Sequence, residues 1–109
     1  MFIRGTQNVY PGLYEPLIAS LPGVSEAVMT GVPDAIGDDR IVVLVVPEAP
    51  PAQPDAAHPV ARSVARALPG LVDAGVLPDL VVAVPALPTT GRSRKLDRAA
   101  VADLARSLA

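Results

Sequence analysis

The chain has 109 residues, half of them hydrophobic, and a formal net charge of −2 at pH 7. That length suits one core in a single domain over 1–109, and the negative balance excludes a general nucleic-acid binder, which needs a basic surface. The lack of cysteine excludes disulfides, thiol catalysis and cysteine metal sites, and the single histidine, His58, excludes a multi-histidine metal centre.

Phe2, Tyr10 and Tyr14 are the only aromatic residues, so the core must be aliphatic. Met1 to Ile3 is a short apolar start, and the following Arg4-Gly5-Thr6-Gln7-Asn8 predicts a turn or loop. Pro11 suits the first turn of a helix, where its missing N–H is harmless. Leu13, Leu17 and Leu21, with Tyr14 and Ile18 beside them, predict one apolar helix face ended by Pro22-Gly23. Val24 to Val32 reads as a strand, and Pro33 to Asp39 as a turn region whose Asp34, Asp38 and Asp39 are turn formers rather than metal ligands. Arg40 to Val46 reads as a strand buried on both faces, paired antiparallel with its predecessor.

Pro47 to Pro59 holds five prolines and predicts a stiff surface loop, the segment expected to move most, with His58 exposed and inert. Val60, Val64, Ala67, Leu68 and Leu71 form a second helical stripe, closed by Gly75 and Pro78. Leu80 to Val84 is a third strand, and Leu87 to Lys95 a polar, basic loop. Asp97 is placed to cap a last helix whose apolar face is Ala100, Val101, Leu104 and Leu108. The order helix, strand, strand, helix, strand, helix predicts an α+β fold: a small three-stranded, mainly antiparallel sheet with about three helices packed on it. The longest apolar run, Ile41 to Val46, is too short to span a bilayer, and no basic-then-apolar leader opens the sequence, so a cytoplasmic protein is expected.

Three segments, in order, carry a resemblance. The first is Ile3-Arg4-Gly5-Thr6-Gln7-Asn8-Val9-Tyr10-Pro11-Gly12, with Glu15 shortly after. The second is Leu21-Pro22-Gly23-Val24-Ser25-Glu26-Ala27-Val28, then Gly31-Val32-Pro33-Asp34. The third is Leu87-Pro88-Thr89-Thr90 followed by Lys95-Leu96-Asp97-Arg98. Together they resemble the C-terminal lid domain of the adenylate-forming enzymes: acyl-CoA synthetases, AMP-binding enzymes and the adenylation domains of nonribosomal peptide synthetases. Two departures stand out. Leu13 replaces the first acid of the family's Glu-x-Glu, and Arg94 replaces the glycine before the lysine in a loop one residue longer than usual.

The resemblance implies a ligase with two half-reactions. A carboxylate attacks the α-phosphorus of ATP, which arrives with Mg, to give acyl-adenylate and pyrophosphate. A thiol, from coenzyme A or a carrier-protein pantetheine, then displaces AMP. It implies Lys95 as the catalytic lysine of the first step, and Arg4 and Gly5 as part of the thiol channel after a hinge rotation of the lid. Arg92, Arg94 and Arg98 are candidate phosphate contacts. The expected partner is a large N-terminal ATP- and acyl-binding domain, in cis or in trans, with an acyl carrier protein as a further candidate. No cofactor is expected to bind this domain tightly alone.

Plainer readings stand beside these. A lone lysine in an arginine-rich loop is ordinarily a solvated charge, and Arg92, Arg94 and Arg98 can be solvated or salt-bridged to the large domain. Gly5 can be an ordinary turn glycine. Glu15 reads as a first-turn acid favoured by the helix dipole. A stand-alone, non-catalytic binding module that keeps the lid fold is the alternative function, and a self-sufficient small enzyme a third.

Overall fold

A computed structural model describes residues 2–4, 7–33, 39–72, 77–91 and 95–108, with side chains described except at 2–4, 7, 8 and 39. In chain order the elements are β1 (Phe2–Arg4), β2 (Gln7–Val9), α1 (Pro11–Ala19), β3 (Val24–Pro33), β4 (Asp39–Pro47), α2 (Pro59–Ala67), β5 (Leu80–Ala83), β6 (Thr89–Thr90), β7 (Lys95–Leu96) and α3 (Arg98–Leu108). The fold is α+β, as the order of apolar segments predicts.

Strands β3, β4 and β5 form the central sheet in that order. β3 pairs antiparallel with β4, and β4 pairs parallel with β5, with Val43 opposite Val81. The sheet is therefore mixed. A parallel pair needs a crossover that returns the chain to the same end of the sheet, and the stretch containing α2 supplies it. β4 sits in the centre with both faces covered, which is why Ile41 to Val46 can be apolar without alternation.

The alternation of side chains sorts the core into two clusters, one on each face. Ile41, Val43, Val45, Met29, Val81 and Ala83 face α1 and α2, meeting Ile18, Ala61, Val64 and Leu68. Val28, Val42, Leu44, Val46, Val82 and Val84 face α3, meeting Val101 and Ala105. A bulge between Val24 and Glu26 shifts the period by one residue and turns Val24 to the α1 side.

Helix α1 departs from its expected apolar stripe. Ile18 is buried and Tyr14 and Leu21 pack on the core, whereas Leu13 and Leu17 are 64% and 43% exposed. Residues 14, 18 and 21 share one face of a 3.6-residue helix, and 10, 13 and 17 share another. Both rows are apolar here, so periodicity alone does not choose between them. Gly23, at φ 82°, makes the turn from α1 into β3, and a Cβ there would meet Val60 Cγ2 at 3.4 Å. Helix α2 gives way to a single 3-10 turn over Leu68–Gly70, where Pro69 removes a backbone donor.

The proline-rich segment after β4 meets the central sheet at Asp55. Asp55 exchanges two backbone hydrogen bonds with Ala83, at 2.8 and 3.1 Å, on β5. His58 is half-buried rather than exposed, and its Nδ1 accepts from the Val60 N–H at 3.1 Å and caps α2.

Candidate functional site

Lys95 lies on β7, which pairs antiparallel with β6: Thr90 stands opposite Lys95 and Thr89 opposite Leu96. The basic loop of the sequence is thus a short two-stranded hairpin. Its base is held on three sides. Leu87 and Leu96 pack on the core cluster beside α3. The Asp97 N–H donates to the Pro88 carbonyl at 3.0 Å. Asp97 Oδ1 then accepts from the Ala100 N–H at 3.1 Å, the cap expected for α3. Lys95 itself is exposed, and among the described residues no carboxylate lies within salt-bridge distance of it.

Arg98 follows at the first position of α3. Its guanidinium grips Glu15 with both terminal nitrogens, Nη1 donating to Oε2 at 2.7 Å and Nη2 to Oε1 at 2.8 Å. Glu15 Oε2 also accepts from the Met29 N–H at 2.7 Å. The Glu15 side chain is 12% exposed and that of Arg98 56%. Glu15 therefore joins three elements, α1, β3 and α3, at the edge of the sheet that β3 forms. It lies in the second turn of α1, beyond the first-turn position that the helix dipole favours. The bidentate hydrogen bonds to Glu15, its negative charge adding and burial opposing, raise the Arg98 pKa above its ordinary value.

Arg4 ends β1, which pairs with β2 in the register Arg4 to Gln7 and packs against β3 and β4. Val9 of β2 is buried in the cluster on the α1 side of the sheet. The strand carrying Arg4 and the hairpin carrying Lys95 thus attach to opposite faces of one sheet. Gly5, Arg92 and Arg94 lie outside the described residues. Among the described residues, no group of three or more histidine and acidic side chains is placed to hold a metal ion, and no helix is long and apolar enough to cross a membrane.

The AMP-binding enzyme C-terminal domain family matches residues 14–94 of this sequence. The chain belongs to that family. Among solved structures, it is similar to the Mycobacterium tuberculosis fatty acyl CoA synthetase at a TM-score of 0.80 and 24% identity, covering 99% of this chain and 20% of that one. Apo MatB from Rhodopseudomonas palustris gives 0.78 and 26%, covering 97% of this chain and 20% of that one. The anthranilate CoA ligase AuaEII, in complex with anthranoyl-AMP, gives 0.80 and 19%, covering 99% and 20%. No curated protein sequence matches the chain. This C-terminal domain spans about a fifth of the length of those enzymes.

The family match ends at Arg94, one residue before Lys95. Sequence patterns mark Lys95, Arg4, Gly5, Arg92 and Arg94 as functional and read Arg98 as solvated, bridged to the large domain or in contact with phosphate, whereas here it pairs with Glu15 inside the domain. The signal for the Glu15–Arg98 pair is nevertheless present, because both residues occupy motif positions. Their pairing across 83 residues is a product of the fold.

Proposed function

We propose that this C-terminal domain is the mobile lid of an ATP-dependent acid–thiol ligase, that it supplies Lys95 to adenylation, and that it is inactive without the large N-terminal domain. In the first half-reaction a carboxylate attacks a phosphate, anion against anion. An ammonium between them offsets the repulsion and holds the line of attack. Lysine suits this: a compact charge on a long arm. Lys95 is the chain's one lysine. Arg92 and Arg94, its neighbours in sequence, would contact the phosphates of ATP or coenzyme A. Arg4 and Gly5 would approach the thiol, where a glycine lets a backbone come close.

The observation that carries this reading is the placement of the two motifs. The β6–β7 hairpin and the β1–β2 pair sit on opposite faces of one sheet. A domain so built would present one face to the large domain for adenylation and, after rotation about a hinge, the other for thioester formation. Anthranoyl-AMP, held by AuaEII, is the kind of intermediate that joins the two steps. The acyl pocket, and with it the choice of acid, would belong to the large domain.

The test supplies the large domain in cis or in trans and measures acyl-adenylate formation. Lys95→Ala should lower the rate by about a hundredfold or more, while thioester formation from supplied acyl-adenylate is unchanged. An undiminished adenylation rate would sink the assignment of Lys95. It would favour the second reading, a non-catalytic binding module, to which Arg94 in the glycine position already points.

A further inference from the structure

We infer that Glu15 and Arg98 form a positioning pair that fixes the Lys95 hairpin to the body of the domain. The inference rests on the role of Lys95 proposed above, and neither residue of the pair is itself a catalytic group. Three observations lead to it.

The first is connectivity. Lys95 and Arg98 are separated only by Leu96 and Asp97, so the end of β7 and the start of α3 move together. Asp97 closes the base of the hairpin through Pro88 and caps the helix, leaving little slack between the lysine backbone and the arginine. The second is geometry. A bidentate guanidinium–carboxylate contact fixes orientation as well as distance, which a single point charge does not. Both Glu15–Arg98 distances, 2.7 and 2.8 Å, are short and nearly equal. The third is anchorage. Glu15 is itself immobilised by the Met29 N–H and by its burial on α1, so the pair ends on the sheet rather than on another mobile group.

The hairpin needs such an anchor. β6 and β7 are two residues each, and an isolated two-stranded hairpin of that size holds no conformation in water. Leu87 and Leu96 secure its core side, but Lys95 and Thr90 are exposed. The pair also crosses the open edge of the sheet, from the α1 layer to the α3 layer. It thereby links the base of the Lys95 hairpin to the helix that starts directly after β2. A lysine delivered by a moving domain must reach the reacting atoms with its backbone already set, because small misplacements cost large factors in rate.

Hydrogen exchange on the 109-residue chain tests this without any activity. In Arg98→Met, the amides of the β6–β7 hairpin should exchange about fivefold faster or more, with those of β4 unchanged. Because Lys95 is the one lysine, reductive methylation with labelled formaldehyde marks it and the chain terminus alone. Its methyl resonance should narrow in the variant as the hairpin loosens. Arg98→Lys, which keeps the charge but loses the fork, should fall between wild type and Arg98→Met, and decides the matter if Arg98→Met does not fold. Hairpin exchange and linewidth at wild-type values in a folded variant would overturn the proposal.

With the large domain supplied, Arg98→Met should lower adenylation about tenfold and leave thioester formation from supplied acyl-adenylate unchanged. In a Lys95→Ala background it should cost nothing further. Equal loss in both half-reactions, or losses that add, would mean a general structural role and overturn the positioning one. Failure of Lys95→Ala to affect adenylation counts against the function proposed above. Unchanged hairpin exchange counts against the pair.

Discussion

The Glu15 carboxylate accepts from three donors on two other elements, and its side chain is 12% exposed. Removing it leaves the Met29 N–H without its acceptor and Arg98 without its partner. An unsatisfied donor costs about 1–3 kcal/mol when no water replaces the acceptor. Arg98 is more than half exposed, so its own loss is softened by solvent. Glu15→Ala should therefore destabilise the chain by about 1–3 kcal/mol, and more than Arg98→Ala does, as read from denaturant midpoints. The hydrogen bonds to Glu15 raise the Arg98 pKa. A raised pKa means stabilisation that is complete below the group's ordinary range and fades only as pH climbs through the folded value. Arginine titrates above pH ~12, so the penalty of Arg98→Ala should stay constant from neutrality to about pH 10. A penalty that shrinks across that window would contradict the pairing.

Among the elements, β4 and α1 show opposite sides of one problem. In β4 every residue from Ile41 to Val46 is buried, because helices cover both faces. Leu44→Ala should thus open a cavity and cost about 2–5 kcal/mol. In α1 an equally apolar sequence places Leu13 in solvent, and Leu13→Ala should change stability by no more than about 0.5 kcal/mol. Thermal or chemical denaturation of the two variants compares them directly, and equal penalties would mean that α1 is docked differently. The β4 strand was legible because a short β-branched run bounded by turn signals has few other readings. The inward face of α1 was not, because its two apolar rows are equivalent until the sheet selects one. The direction of β5 was also hidden: the residues of a strand do not specify parallel or antiparallel pairing, and the crossover through α2 does. Likewise the β1–β2 pair and the β6–β7 hairpin are too short to give a period, so the sequence reads both as loops.

At the scale of the whole molecule, the sheet separates two motifs that sequence order already places at opposite ends of the chain. The domain spans about a fifth of the ligases it resembles in structure. If it acts as a lid, the 109-residue chain mixed with ATP and carboxylic acids should release no pyrophosphate, and release by the chain alone would refute that view.

What the sequence determined by itself is the family, the order of the main helices and strands, and the identity of Lys95 as the lysine to test. These follow from local patterns: turn residues, apolar periods and motif spacing, each contained within a short window. The tertiary structure alone decided which face of α1 is buried, that β5 runs parallel to β4, that the Arg4 and Lys95 segments lie on opposite faces, and that Glu15 reaches Arg98. Each of those depends on contacts between residues far apart in the chain, whose free energies no local window contains.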